Sequence, residues 1–243
     1  MHYVRFRDHA GTVRSGEWVD GTLHFGNESY DPETVDILPP STPSKIVCVG
    51  LNYANHAEEE GMEIPDRPLL FLKTPNTLAG HGDTVTLPAG KEEVEFEAEI
   101  AVVIDRQCRN VSAENAMDVV AGFTCLNDIS NRDDQRIEQN WVRGKAFDNS
   151  APVGPVLATP DEVPPDASVE LRVNGETRQS SSRADWIFTL PEMIEEITAY
   201  MTLEEGDIIS TGTPAGVGPL ADGDSVEVIV EGVGTLRHEV QKR

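Results

Sequence analysis

EVEFEAEIAVVI, residues 93–104, alternates glutamate with apolar side chains and is apolar throughout from Ile100 onward. In a β-strand successive side chains point to opposite faces. Glu93, Glu95, Glu97 and Glu99 then share one face, and Val94, Phe96, Ala98, Ile100, Val102 and Ile104 share the other. Ala101 and Val103 continue the glutamate face, so the file of carboxylates runs into a strand end buried on both sides. Carboxylates at i and i+2 lie about 6–7 Å apart. At an apolar strand end both stay ionised at acceptable cost only with a cation between them, and oxygen donors suit a hard divalent ion. Glu97 and Glu99, nearest the apolar end, are the candidate pair, whereas Glu93 reads as part of a solvated acidic face. In a chain this rich in glutamate one Glu-x-Glu pair is weak evidence, and a third ligand must come from another element.

A second apolar run, GFTCLNDIS, supplies a candidate at its polar end: Asp128, with Arg132 and Gln135 just beyond. Three carboxylates from two strand ends form an open metal face; the plainer reading of Asp128 is a turn cap.

The surrounding pattern indicates an α+β, mainly β architecture. Residues 1–38 read as short strands, with turns at Gly11, Gly16, Gly21 and Gly26. LPPSTPSK, residues 38–45, reads as a linker, which places a small N-terminal β domain at 1–40 and the main domain at 45–243. NYANHAEEEGM has helix-forming character and stops at Gly61, and SAENAMDVVAGFT reads as a short helix with Ser112 as N-cap. Asn174-Gly175 signals a hairpin. TLPEMIEEITAYM is the clearest helix: Thr189 and Glu192 form a capping box, and Met193, Ile194, Ile197, Tyr200 and Met201 form an apolar stripe. Strands outnumber helices without alternating regularly with them.

Composition narrows the class. A net charge of −24, with 19 basic residues against 43 acidic ones, disfavours nucleic acid and anionic membranes as partners. An acidic, lysine-poor surface suits molar salt, where a Debye length of about 3 Å hides self-repulsion. Cys48, Cys108 and Cys125 are odd in number and form no Cys-x-x-Cys, which points to free thiols in a reducing compartment. No signal region or membrane-length apolar run is present, so a cytoplasmic protein is expected.

Seven segments in order, VGLNYANHAEEEG, PLLFLKT, EFEAEIAVVI, GFTCLNDISNRDDQ, WVRGKAFDNSAPVGP, LRVNGETRQ and GDIISTGTPAGVGP, resemble the signatures of the fumarylacetoacetate hydrolase family. The likeness spans roughly residues 45–240 and implies a mixed β-sandwich/β-roll with a few short helices. It implies a metal triad of Glu97, Glu99 and Asp128 holding Mg²⁺, with Mn²⁺ or Ca²⁺ as alternatives. His56 and Glu59 become a catalytic pair, whose i, i+3 spacing puts both on one helical face. Lys145 becomes a catalytic ammonium beside the metal. The likeness further assigns Lys73, Arg132, Gln135, Gly212 and Thr213 to substrate, although a structural ion pair is an equal reading of Lys73. A lid around His56 and a homodimer are also implied.

The chemistry so implied is hydrolysis of the C–C bond of a 2,4-dioxo acid (an acylpyruvate) through a metal-bound enolate, with a small-molecule 2-oxo acid as the partner. The alternatives are decarboxylation of oxaloacetate or of 5-oxopent-3-ene-1,2,5-tricarboxylate, and isomerisation of 2-hydroxyhepta-2,4-diene-1,7-dioate. A noncatalytic β protein that binds a cation structurally is the alternative of another class. Two departures stand out: Thr74 after Lys73, and Arg183-Ala184-Asp185 before Trp186.

Overall fold

The stretch 93–104 forms two strands rather than one. Val94–Phe96 belongs to a three-stranded sheet and Ala98–Ile104 to the centre of a large one. The ladder breaks at Glu97 because two successive amides are taken by side chains: Glu97 N–H donates to Asn127 Oδ1 (2.8 Å) and Ala98 N–H to Gln179 Oε1 (2.9 Å). All seven residues of Ala98–Ile104 are buried, as expected of a strand covered on both faces.

A computed structural model describes residues 1–59 and 61–242. Glu60, within the expected helical stretch, and Arg243, at the end of the expected main domain, lie outside the described residues. Among the described residues the architecture is α+β and mainly β, with three sheets and a few short helices. The large sheet has 12 strands. At its centre Ala98–Ile104 pairs antiparallel with Val120–Asn127 and with Ile208–Ser210, and Ile46–Gly50 and Leu69–Lys73 follow to one edge. A five-stranded sheet, with Glu176–Ser182 at one edge, packs against it. Val102, Phe123 and Val156 from the large sheet share one core with Val169, Leu171, Val228 and Leu236. Each such side chain contributes about 1.5–3 kcal/mol when fully buried.

The N-terminal strands His2–Arg7, Val13–Val19, Thr22–Phe25 and Glu28–Tyr30 form a meander, and His2–Arg7 pairs with Ala151–Ala158 of the large sheet. Gly16 is not a turn residue: it pairs with Val4 inside a strand. In the proline-rich connection Pro40, Ser41 and Pro43 are buried, and Ser41 Oγ donates to Gly206 O (2.8 Å). Asn174 and Gly175 both have positive φ (53° and 81°), as a type I′ turn requires, and join Ser168–Val173 to Glu176–Ser182.

Leu190–Tyr200 is the longest helix among the described residues, and its capping box is formed, with Thr189 N–H donating to Glu192 Oε2 (2.7 Å). Met193, Ile194 and Ile197 are buried, but Tyr200 points out of the core at 63% exposure, so the apolar stripe is shorter than its spacing predicts. Ala113–Val119 is a 3₁₀ helix, and Ser112 Oγ accepts from Asn115 Nδ2 instead of capping its backbone. The three cysteines are free and buried. Among the described residues no helix is long and apolar enough to cross a membrane.

Candidate active site

Register brings the carboxylates together. Ala98 pairs with Asn127 and Glu99 with Leu126, so Asp128 leaves its strand beside Glu97 and donates its N–H to Glu97 O (2.8 Å). Glu97, Glu99 and Asp128 each offer an oxygen within 4.8 Å of the others, and all three are buried.

Their charge is balanced by cations on separate elements. Lys145 Nζ donates to Glu97 Oε2 and to Asp128 Oδ2, both at 2.7 Å. Lys73 Nζ donates to Asp128 Oδ1 (2.5 Å) and Ile129 O (3.2 Å). Arg132 reaches Glu97 Oε1 (2.5 Å), Glu95 Oε2 (2.7 Å) and Gln135 Oε1 (2.7 Å). Glu99 has neutral donors instead: Ser210 Oγ (2.5 Å) and Gly212 N–H (2.8 Å).

The consequence is an uneven titration. Burial alone would raise Glu97, but Lys145 and Arg132 outweigh it and hold the carboxyl well below its usual range. Burial, then the Asp128 charge, pushes Glu99 up to about 8. Lys145 is buried too, which opposes its charge, yet Asp128 and Glu97 raise its pKa. Three crowded hard-oxygen donors, one of which keeps its proton because of burial and the Asp128 charge, fit a divalent metal.

His56 and Glu59 sit on the helix Ala54–Glu59, with His56 Nδ1 3.2 Å from Glu59 Oε2. Glu59 also accepts the Gly216 N–H at 3.0 and 3.1 Å from its two oxygens. The segment before the helix is fixed by Asn52, which accepts from Phe188 N–H (2.8 Å) and donates to Thr211 O (2.8 Å). Tyr53 OH accepts from Trp186 Nε1 (2.8 Å). With Nδ1 engaged by Glu59, Nε2 is the nitrogen left to exchange a proton.

A cleft partly open to solvent unites most of these groups. His56, Glu97, Glu99, Arg132, Gln135, Lys145, Gly212 and Thr213 all line it. Asp128 lies beneath and Glu59 behind His56. Lys73 does not line the cleft; it is fully buried and holds Asp128, which matches its ion-pair reading. The Gly212 N–H is likewise spent on Glu99. Ser210 and Asn127 escape a reading of the sequence because each is a polar residue ending an apolar strand, and Gln179 because it is one of seven polar residues in the strand Glu176–Ser182. Phe71 and Trp141 also line the cleft, and in the sequence they look like ordinary core residues.

Residues 45–241 match the family model described as fumarylacetoacetate (FAA) hydrolase, C-terminal. Over 233 residues the chain is 44% identical to a Bacillus subtilis protein named oxaloacetate tautomerase YisK, covering 89% of this chain and 76% of that one. The crystal structure of 5-carboxymethyl-2-hydroxymuconate delta-isomerase from Mycobacterium smegmatis superposes with a TM-score of 0.92 at 38% identity, covering 100% of this chain and 99% of that one. Maleylpyruvate hydrolase from Sphingobium sp. SYK-6, in complex with manganese(II) and pyruvate, superposes with a TM-score of 0.84 at 30% identity, again covering 100% and 99%. With its ordered motifs, its fold and its carboxylate triad in agreement, the chain belongs to the fumarylacetoacetate hydrolase family.

Proposed function

We propose that this protein is a divalent-metal-dependent enzyme that moves a proton at C3 of a 2-oxo acid. Keto–enol interconversion of an oxaloacetate-like dicarboxylic acid is the reading best supported. The observation that carries it is a single acid–base pair, His56–Glu59, lying at the same cleft as the carboxylate triad. Glu97, Glu99 and Asp128 would hold a divalent ion, Mg²⁺ first and Mn²⁺ or Ca²⁺ as alternatives, which would supply Lewis acidity toward a 2-oxo acid. His56 Nε2 takes or returns the C3 proton, and Glu59 stabilises the imidazolium through Nδ1. Lys145 offsets negative charge that develops on the 2-oxo oxygen, while Arg132, Gln135 and Thr213 orient the substrate. The 44% identity to a protein named as an oxaloacetate tautomerase supports this choice.

A second reading, C–C hydrolysis of a 2,4-dioxo acid, is favoured by the walls of the cleft. Its charged lining is buried, whereas Met62 and Leu69 at its edge are 51% and 36% exposed and Phe71 and Trp141 are half-buried. Such a mouth suits an apolar acyl group. His56 then deprotonates a water whose oxygen bonds to C4. The C3–C4 bond breaks with its electron pair going to C3, and protonation there gives pyruvate and a carboxylic acid.

Enol decay and pyruvate release, followed with oxaloacetate and with acetylpyruvate in Mg²⁺ with and without a chelator, test both readings. Chelator-sensitive loss of enol oxaloacetate without pyruvate supports tautomerisation. Pyruvate from acetylpyruvate moves the protein to the hydrolases, and pyruvate from oxaloacetate alone to the decarboxylases. If neither substrate responds while the chelator lowers the Tm, the ion is structural. A homodimer is part of the proposal, and light scattering after size-exclusion chromatography reads it directly.

A further inference from the structure

The amide of Gln179 ties the carboxylate strand to the glycine-rich segment that carries Thr213. Gln179 is 1% exposed and lies on Glu176–Ser182, the edge strand of the five-stranded sheet. A bulge precedes it: Leu171 pairs with Gln179 and Arg172 with Thr177, which leaves Arg178 as the extra residue. Its Oε1 accepts from Ala98 N–H (2.9 Å), the amide between Glu97 and Glu99. Its Nε2 donates to Thr213 Oγ1 (2.8 Å) and to Pro214 O (2.7 Å).

This amide has only one workable orientation. Reversed, its oxygen would face the Pro214 carbonyl, which only accepts, and its NH₂ would face the Ala98 N–H, which only donates. Thr213 is therefore an acceptor toward Gln179. Among the described residues no acceptor takes the Thr213 hydroxyl proton, and Thr213 lines the cleft. The hydroxyl is thus set as a donor toward an anionic ligand.

We infer that Gln179 is a positioning residue for substrate recognition: it polarises Thr213 as a donor to the 2-oxo acid's carboxylate and fixes Thr213 relative to the carboxylate strand. This rests on the reading of Thr213 as a carboxylate-binding residue.

Gln179→Glu keeps the acceptor for Ala98 and replaces the donor toward Thr213 with an oxygen. The Thr213 hydroxyl then turns to donate to residue 179 and is lost to the ligand. Oxalate, a planar dianion that mimics a 2-oxo acid without reacting, is titrated calorimetrically into the Mn²⁺-loaded protein. Mn²⁺ alone is titrated into the metal-free protein. The expected result is oxalate binding weakened about tenfold or more in both Gln179→Glu and Thr213→Val, no further loss in the double variant, and Mn²⁺ affinity within about twofold throughout. For whichever substrate is turned over, KM rises by the same factor while kcat changes less. Should Gln179→Glu not fold, Gln179→Met, which also removes the donor, is used in the same cycle. Unchanged oxalate affinity in Thr213→Val overturns the premise about Thr213. A Thr213 effect without a Gln179 effect, additive losses, or equal losses of oxalate and Mn²⁺ affinity overturns the role of Gln179.

Discussion

The backbone N–H of Gly216 donates to both carboxylate oxygens of Glu59, so the glycine-rich segment 212–218 holds the acid–base helix in place. Gly216 cannot be replaced quietly. Its φ is +99°, and a Cβ there would sit 2.4 Å from the Arg178 carbonyl oxygen. Gly216→Ala is expected to push the segment off its seat, release Glu59, and lower kcat about 100-fold while Mn²⁺ affinity is kept. Glu59→Gln should show a similar loss in kcat. Steady-state kinetics beside Mn²⁺ calorimetry checks both, and equal loss of metal affinity in Gly216→Ala would refute the assignment.

Glu99 is the carboxyl whose proton a metal must displace. Its pKa of about 8, raised by burial and the Asp128 charge, means that the metal-free site is protonated there at neutral pH. Below pH 8 binding releases that proton, so apparent Mn²⁺ affinity should fall about tenfold per pH unit as pH drops from 8 to 6. Calorimetry at pH 7 in buffers of different ionisation enthalpy should count about one proton released. In Glu99→Gln the count should vanish along with tight binding. The linkage to folding has a definite sign. Glu99 contributes stability to the metal-free protein at acid pH, and that contribution is lost as pH rises toward and through 8.

The candidate triad Glu97, Glu99 and Asp128 and the His56–Glu59 pair are legible through the seven ordered segments that resemble the family; strand alternation and an i, i+3 spacing alone are weak signals in a chain this rich in glutamate. Thr189 and Glu192 mark a helix start within four residues. What stayed hidden depends on distant chain. The ladder breaks at Glu97 through side chains 30 and 81 residues away, which no window of sequence contains. Lys73 reads equally as a substrate contact or an ion pair until the fold seals it beneath Asp128. Tyr200 fits its helical stripe, but it is the last helical residue and faces outward, while Met201, already extended beyond the helix end, turns back onto the core.

His238 sets a lower limit for stability. It is 1% exposed and its Nε2 lies 2.9 Å from Asn127 Nδ2, which requires a neutral ring with Nε2 accepting. Burial pushes its pKa down to about 4. A depressed folded pKa gives stability that is present above the unfolded value near 6.5 and is lost as pH falls through 4. The full loss is about 3 kcal/mol, converted from that shift. Urea midpoints at pH 7 and pH 4.5 should differ more in the parent protein than in His238→Gln, which cannot gain the charge; equal differences would exclude His238 as the cause.

The −24 charge predicts a salt response of the opposite kind to ordinary ion-pair loss. Screening removes repulsion among 43 acidic groups faster than it removes attraction to 19 basic ones. The Tm should rise steadily from 0.1 M to roughly 2 M KCl, where the Debye length falls to about 3 Å or less. A flat or falling Tm would mean that the surface pairs, such as Arg172–Glu170 and Arg237–Glu227, matter more than the net charge.

The aromatic wall separates the two candidate reactions. The Phe71 and Trp141 rings meet edge to face at 5.5 Å, and the Lys145 ammonium lies 4.9 Å from the Phe71 ring centre. Phe71 therefore touches the charged part of the cleft, while Trp141 extends its apolar side. On the tautomerase reading a ligand as short as oxaloacetate is held by the charged groups of the cleft through its carboxylate and 2-oxo groups and is expected to owe little to Trp141. A 2,4-dioxo acid with a longer acyl chain would lie against it, and burying a few methylenes there is worth about 1.5–3 kcal/mol, or roughly 10–100-fold. Trp141→Ala should then cut kcat/KM for long-chain 2,4-dioxo acids by about that factor and leave oxaloacetate within about threefold. Rates measured across a series of acyl lengths decide it. A uniform loss would make Trp141 a support for Phe71 and Lys145, whereas a loss that grows with chain length would make the mouth a specificity pocket and favour the hydrolase.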